Sequence, residues 1–483
     1  MVDVLIIGCG VVGAATAYEL SKYKISVAVL EKENDVATGT SKANSGIVHA
    51  GYDPEPGTLT AKLNVEGAAL TEALCRDLDV SYKKIGSMVL AFDEEDLPRI
   101  GSLYERGLKN GVARLELLTG EQAKKLEPNL SDNVKGALYA PTAGIVNPWE
   151  YTLALAETAV RNGVEIHLNN EVRSIAQIDG GYRVKTNKGF YEARYIINAA
   201  GLHGDEIHNM AAEPEFKIHG VRGEYYLLDK TEGQRAAHVL FQCPTRAGKG
   251  VLVSPTVHGN LIVGPNAEDV TGKDDVATTA GGLSFVKEMA FRTIPSIRFR
   301  ESIRNFSGVR AVADASDDFI IKEANTAENF FDLAGIKSPG LTSAPAIAKM
   351  AAGMLADKDL TLVKKKSSIG ARRKIRFKEL STDEKNRLIM EKPEYGRVIC
   401  RCETVTEGEI IEAMRSPITP VSIDGIKRRC NAGMGRCQGG FCSPRVLEII
   451  ARELKISPLQ VMQDKDGSFI LTGETKAGGE QNV

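Results

Sequence analysis

No stretch of the 483-residue chain approaches the roughly 20 consecutive apolar residues that a membrane-crossing helix needs, which excludes an integral helical membrane protein. Charge of one sign is not in excess either. The 61 basic and 63 acidic residues give a formal net charge of -2, so no overall field draws the chain onto nucleic acid. The apolar opening, Val4 to Ala17, lacks a basic stretch before it and a cleavage site after it, and Gly8, Gly10 and Gly13 interrupt it. A secretory signal peptide is therefore not expected, and the cytoplasm is the expected compartment. There, eight cysteines point to metal or redox chemistry before structural disulfides. What the chain does have is ordinary for a soluble globular protein: 43% apolar and 26% charged residues. Its length suits about two to four domains.

Val4-Leu5-Ile6-Ile7 is a short β-branched run ending at glycine, the pattern of a buried strand in a parallel sheet. Gly8-Cys9-Gly10-Val11-Val12-Gly13 follows, then a helical stretch to about Tyr23, then a second strand, Ser26 to Leu30, ending at Glu31. Strand, G-x-G-x-x-G, helix, strand and acid form the dinucleotide-binding arrangement. Gly8 permits the tight turn, Gly10 lets backbone approach a pyrophosphate, and Gly13 lets helix and strand pack closely. The helix N-terminus offers N–H groups to phosphate, and Glu31 can accept hydrogen bonds from ribose hydroxyls. A glycine turn also occurs in βαβ units without a ligand, and the motif alone does not separate FAD from NAD.

The next segment, Thr40-Ser41-Lys42-Ala43-Asn44-Ser45-Gly46-Ile47-Val48-His49-Ala50-Gly51-Tyr52, is small, polar and glycine-bearing. Such a segment can run along an extended cofactor and donate hydrogen bonds to it. Here the chain resembles the amino-acid-oxidase-like family of FAD-dependent oxidoreductases. Ala43 to Pro56 with Lys62-Leu63-Asn64 is similar to the α-glycerophosphate oxidases and dehydrogenases. The resemblance spans about residues 1–360. It implies an α/β fold, a Rossmann-like FAD-binding domain with an inserted antiparallel-sheet substrate domain. It also implies an FAD site that adds Val12, Lys32, Thr40, Ser41, Asn44, Ser45 and Val172 to the glycines and Glu31.

Two later stretches support FAD from the residues themselves. Tyr195 to Gly201 is a strand ending at glycine, with Asp205 after it; Phe330 to Gly335 is another. Ile336 to Thr342, including Gly340 and Leu341, then leads into an alanine-rich helix, about Ala344 to Leu355. The N-terminus of that helix could face the flavin and stabilise negative charge on the reduced ring. The expected FAD-binding domain is residues 1–80, 150–211 and 306–358, and the substrate domain is residues 81–149 and 212–305.

Oxidising a secondary alcohol with flavin needs a base for the hydroxyl proton, a hydride acceptor and cations that hold an anionic substrate. His49 suits the base, because imidazole transfers protons near neutrality. The resemblance implies the same role, and the alternative is that His49 only bonds the flavin or its own backbone. Arg310 can grip phosphate or carboxylate through a planar guanidinium. The resemblance implies that it faces substrate, and the alternative is a surface ion pair with Asp314. Lys249 could screen a phosphate, and Ser338 could hydrogen-bond it.

Residues 359–397 read as a basic linker. From Leu360 to Lys378 there are eight Lys/Arg and no acids, which suits a solvated connector or a peripheral membrane or partner contact. The last segment, residues 398–483, holds Cys400-Arg401-Cys402 and, after 34 intervening residues, Cys437-Gln438-Gly439-Gly440-Phe441-Cys442. Two close thiolate pairs suit a [2Fe-2S] cluster or a four-coordinate zinc. Helices are expected at Glu407 to about Arg415 and running into Cys430. Gly433-Met434-Gly435 leaves backbone N–H groups free to approach sulfur, which favours iron–sulfur. The stretch from Gly433 to Cys442 resembles the bacterioferritin-associated-ferredoxin-like [2Fe-2S] domain, which implies Cys400, Cys402, Cys437 and Cys442 as ligands. The expected activity is oxidation of glycerol 3-phosphate, with electrons leaving through the cluster to an acceptor protein or quinone. Oxidation of another 2-hydroxy acid or an amino acid, or service as an electron-transfer subunit, are the alternatives.

Overall fold

The computed structural model describes residues 1–244, 250–314 and 316–473. It divides into two compact units: residues 1–32 with 36–372, and residues 33–35 with 373 onward. No helix among the described residues is long and apolar enough to cross a membrane.

The first unit is built on the expected βαβ start, β1 (Val2–Ile7), α1 (Val11–Leu20) and β2 (Val27–Leu30). In its eight-stranded sheet, β1 pairs in parallel with β2 and with strand Phe190–Asn198. Strands Glu165–His167 and Ala327–Ala334 extend the parallel core at its two ends. Leu5, Ile6, Ile196 and Phe330 are fully buried, the reason these strands are apolar without alternation. The helix α1 stops at Leu20, short of the expected Tyr23; there the N–H groups of Lys22 and Tyr23 turn back to carbonyls three residues earlier.

The second sheet of this unit has nine strands and takes its members from both expected insertions. All its pairings are antiparallel except Val239–Gln242 with Ser87–Ala91, which run parallel. These two strands come from separate stretches of sequence with the first sheet's strands between them. No hairpin dictates their direction. Strand Ser302–Ala313 pairs along nearly the full length of Ile218–Leu228, so residues 306–313 continue this sheet. Arg310, which falls in the stretch 306–358 expected to belong to the FAD-binding domain, rides on this second sheet, opposite Val221.

Three further pieces frame the site. The short strand β3 (Ile47–Val48) pairs with Gly144–Val146. Helix α2 (Leu59–Asp77) starts at Thr58, whose side chain accepts the Ala61 N–H, while Asp318 takes the N–H groups of Leu59 and Thr60. Helix Gly340–Ala356 begins four residues before the expected Ala344, so Gly340, Leu341 and Thr342 form its first turn.

Beyond that helix the basic stretch is held along the first unit. Lys365 donates its backbone N–H to Lys22 and its ammonium to Asn162, and Asn162 and Ile369 exchange two hydrogen bonds of 2.8 Å.

The second unit has its own core, with Ile410, Ile426, Ile450 and Val461 fully buried. Helix Glu407–Met414 opens with a capping box between Thr406 and Glu409. Helix Ile423–Cys430 ends at Asn431 in the left-handed conformation. Helix Ser443–Leu454 follows the last cysteine pair. Asp35 lies in this unit, where its carboxylate accepts from Arg429 at 2.8 and 2.9 Å and from Arg428 at 2.9 Å.

Candidate functional site

The first glycines are fixed by contact. Gly8 has φ +98, and a Cβ there would stand 2.6 Å from the Ala199 carbonyl oxygen. A Cβ on Gly13 would stand 2.0 Å from the Gly8 carbonyl oxygen, so α1 could not pack on β1 with any side chain there. Gly10 is the N-cap of α1 and brings no side chain of its own. Ser41 Oγ accepts the Val11 N–H at 2.8 Å. The N–H groups of Val12 and Gly13 come too early in the helix for an intrahelical acceptor, and the first turn carries no acid. They fit an anionic phosphate.

Glu31 is buried, with Oε2 accepting the Cys9 N–H at 2.7 Å. Its carbonyl accepts from Asn170, two residues before Val172, which brings the start of strand Val172–Ile178 to the acid. Lys32 Nζ lies 3.2 Å from His203 Nε2, two residues past Gly201. Gly201 has φ +59, and a Cβ there would meet nothing within 4 Å. Tight glycines on the protein side, a buried acid and open space at Gly201 suit a nucleotide.

The loop Thr40–Gly46 is shaped by Asn44. Its amide nitrogen donates to the carbonyls of Thr40 and Ser41, and its oxygen accepts the Gly46 N–H at 2.9 Å, with Ser45 between. Thr40 Oγ1 donates to the Val309 carbonyl at 2.6 Å. A Cβ on Gly308 would stand 1.9 Å from the Ala43 carbonyl oxygen, so strand Ser302–Ala313 lies directly on this loop.

From β3 the chain reaches His49, which is half-buried. The His49 N–H donates to Thr342 Oγ1 at 3.0 Å, and its carbonyl accepts from Asn64 of α2 at 2.9 Å. Both backbone groups are thus tethered. The imidazole Nε2 stands 3.4 Å from Ser338 Oγ, and the ring stacks on Phe241 at 5.8 Å between centroids. Thr342 also donates to the Ile47 carbonyl, tying the start of helix Gly340–Ala356 to β3. Gly335, with φ +63, makes the turn that leads there.

Arg310 is half-buried and donates from Nη2 to the Asn266 carbonyl at 3.1 Å. The alternative partner Asp314 is instead bonded to His219. A Cβ on Gly223 would stand 2.6 Å from Arg310 Nη2, so the neighbouring strand leaves room for the guanidinium only by carrying glycine. Arg310 adjoins Val309, the acceptor of Thr40, and so is joined to the His49 loop through one hydrogen bond. Lys249 lies outside the described residues.

In the second unit the four cysteines stand as two pairs. Sγ of Cys402 and Cys437 are 3.6 Å apart, while Cys400 is hydrogen-bonded to Cys442. Among the described residues no three metal-ligating side chains close on one point. Two thiolate pairs can hold the two irons of a [2Fe-2S] cluster. The Cys442 hydrogen bond, with the N–H groups of Gly433 and Glu403, holds the Cys400 thiol well below its usual range. The N–H of Phe441 acts likewise on Cys437, against burial. These donors favour thiolate at Cys400 and Cys437, one in each pair, while the partners Cys442 and Cys402 are held above the usual thiol range. Cys430 points elsewhere, to the Ile426 carbonyl, and burial pushes its thiol up to about 12.

Sequence reasoning missed Gly223, Gly308 and Phe241. The glycines had a signal, since glycine inside a strand marks a close backbone approach. Phe241 had none, because its partner lies in a distant segment.

Residues 3–354 match the family described as FAD dependent oxidoreductase, and residues 398–452 match the BFD-like [2Fe-2S] binding domain. The chain is 52% identical over 478 residues to a protein named glycerol 3-phosphate dehydrogenase from Caloramator mitchellensis, covering 99% of each. It is 36% identical over 362 residues to a glycerol 3-phosphate oxidase of Mycoplasma genitalium, covering 73% of this chain and 94% of that one. The solved structure of dithionite-reduced L-α-glycerophosphate oxidase from Mycoplasma pneumoniae with FAD bound aligns with a TM-score of 0.73 at 35% identity. That alignment covers 77% of this chain and 98% of the other.

Proposed function

The chain belongs to the FAD dependent oxidoreductase family and carries a BFD-like [2Fe-2S] binding domain, and on that footing we propose that it oxidises sn-glycerol 3-phosphate to dihydroxyacetone phosphate and hands the electrons singly to a partner. The full-length match to a glycerol 3-phosphate dehydrogenase supports the substrate. The observation that carries the chemistry is the meeting of His49 and Ser338 at the start of helix Gly340–Ala356, with Arg310 on the adjoining strand.

FAD, when bound, supplies a two-electron acceptor, and the [2Fe-2S] cluster, when held by Cys400, Cys402, Cys437 and Cys442, supplies one-electron chemistry. The side chains do the rest. Arg310 keeps one edge of its guanidinium on the Asn266 carbonyl and offers the other to the substrate phosphate, with Lys249 as a second cation. Nε2 of His49 takes the hydroxyl proton, and Ser338 holds the imidazole or the substrate oxygen in line. The first turn of helix Gly340–Ala356 favours the negative charge that develops next to it.

Anaerobic addition of glycerol 3-phosphate should bleach the oxidised flavin band. Bleaching by another 2-hydroxy acid or an amino acid, and not by glycerol 3-phosphate, would move the substrate. No bleaching across that panel would leave an electron-transfer subunit.

A further inference from the structure

The strand Val239–Gln242 fixes Phe241 through the residues on either side of it. Successive side chains of a strand point to opposite faces. Leu240 is fully buried in the core that holds Val286 and Ala290 of helix Ala280–Thr293. Gln242 donates to the Met289 carbonyl of that helix at 2.6 Å and to Thr293 Oγ1 at 3.0 Å. Phe241, between the two, turns to the other face of the sheet. There it packs against the apolar cluster of Ala50, Tyr52 and Val89, and Val89 is also its register partner. Two anchored neighbours and an apolar backing hold the ring in one place.

The His49 imidazole lies against this ring, with 5.8 Å between centroids and 27° between planes. Offset stacking of this kind is a favoured arrangement of aromatic pairs. Thr342 and Asn64 tether the His49 backbone, but they leave the side-chain torsions open. The second torsion of a histidine is broad, without sharp wells of its own. Ser338 Oγ stands 3.4 Å from Nε2, at the long end of hydrogen-bond distances, so it marks one edge of the imidazole only loosely. The contact that sets the plane of the imidazole is the stack on Phe241.

We propose that Phe241 is the positioning residue for His49, holding the imidazole plane so that Nε2 meets the substrate hydroxyl. The proposal rests on the reading that His49 takes the hydroxyl proton. Phe241 moves no proton and acts only through the imidazole. A reacting group misplaced by about 1 Å can cost about a hundred-fold in rate, and an imidazole free to turn no longer presents Nε2 in one direction. An aromatic wall that merely touched substrate would instead act on substrate affinity.

The test measures anaerobic flavin bleaching by glycerol 3-phosphate in the FAD-loaded full chain, read as a limiting rate and a half-saturating concentration. The variants are Phe241→Leu, Phe241→Tyr, His49→Asn and Phe241→Leu combined with His49→Asn. Phe241→Leu keeps an apolar side chain and should lower the limiting rate by about ten-fold or more. Its half-saturating concentration and flavin absorbance should stay within about two-fold of the wild type, and Phe241→Tyr should restore most of the lost rate. With His49→Asn already in place, Phe241→Leu should change the rate by less than about two-fold, because no imidazole remains to be placed. A Phe241→Leu protein with the wild-type limiting rate, a rise confined to the half-saturating concentration, no restoration by Phe241→Tyr, or the same fold-loss in both backgrounds would each overturn the proposal. A His49→Asn protein that bleaches at the wild-type rate would instead overturn the reading beneath it.

Discussion

Nε2 of His49 and Oγ of Ser338 stand 3.4 Å apart, although 289 positions separate them in sequence. The two meet because Thr342, four residues after Ser338, accepts the backbone N–H of His49. The proposed base and its neighbour are thus set by a helix start, and the pair can be taken apart one group at a time.

Replacing His49 with Asn keeps the ring's approximate size and removes the proposed base. The turnover number should fall about 10²–10⁴-fold, the usual contribution of a positioned proton acceptor. Ser338→Ala should cost less. Flavin content, read from the protein's absorbance, should be unchanged in both.

Thr342→Val keeps the shape of the side chain and removes the oxygen that accepts the His49 N–H. A stranded backbone donor costs about 1–3 kcal/mol. The variant should lose turnover in the direction of His49→Asn, and Thr342→Ser should restore it. Equal activity of the Val and Ser variants would mean that the tether does not position His49.

Gly223→Ala would place a Cβ 2.6 Å from Arg310 Nη2. Its effect should copy that of Arg310→Ala, a rise of ten-fold or more in KM for glycerol 3-phosphate with FAD content intact. The check is steady-state kinetics on both variants; an unchanged KM in either would remove Arg310 from the phosphate.

Cys437→Ser should abolish the brown cluster absorbance and leave flavin bleaching by substrate in place. Loss of both would show that the two units do not bind their groups independently.

Burial alone would raise the Asp35 carboxyl, but the Arg429 and Arg428 guanidiniums outweigh it and hold the group below the ordinary carboxylate range. A carboxylate lowered on folding stabilises the fold above its unfolded value of about 3.9, and that stability drains away as pH falls through the folded value. The second unit should therefore weaken in acid. Asp35→Asn should flatten this acid limb and cost about 3–5 kcal/mol near neutrality, since it leaves buried arginines without their counter-charge. Denaturant melts followed through the cluster absorbance at several pH values measure both effects.

Much of this was legible from local pattern. The βαβ start, Gly8 and Gly13, and the two helices between the cysteine pairs, Glu407–Met414 and Ile423–Cys430, follow from periodicity, caps and glycine spacing within short windows. What was not legible depends on partners far away in sequence. The parallel pairing of Ser87–Ala91 with Val239–Gln242 has no hairpin to announce it. Arg310 lies on the other sheet because strand Ser302–Ala313 runs past the expected boundary between residues 305 and 306. The Asp35 pairing joins residues almost 400 positions apart, 394 for Arg429, where no local rule reaches.

The loop Thr40–Gly46 is stapled from within by Asn44 and pressed from outside by Gly308 against Ala43. A turn clamped on both sides should open slowly to a molecule as long as a flavin dinucleotide. Protein stripped of its pigment should then regain it slowly, at the pace at which that strand lets go.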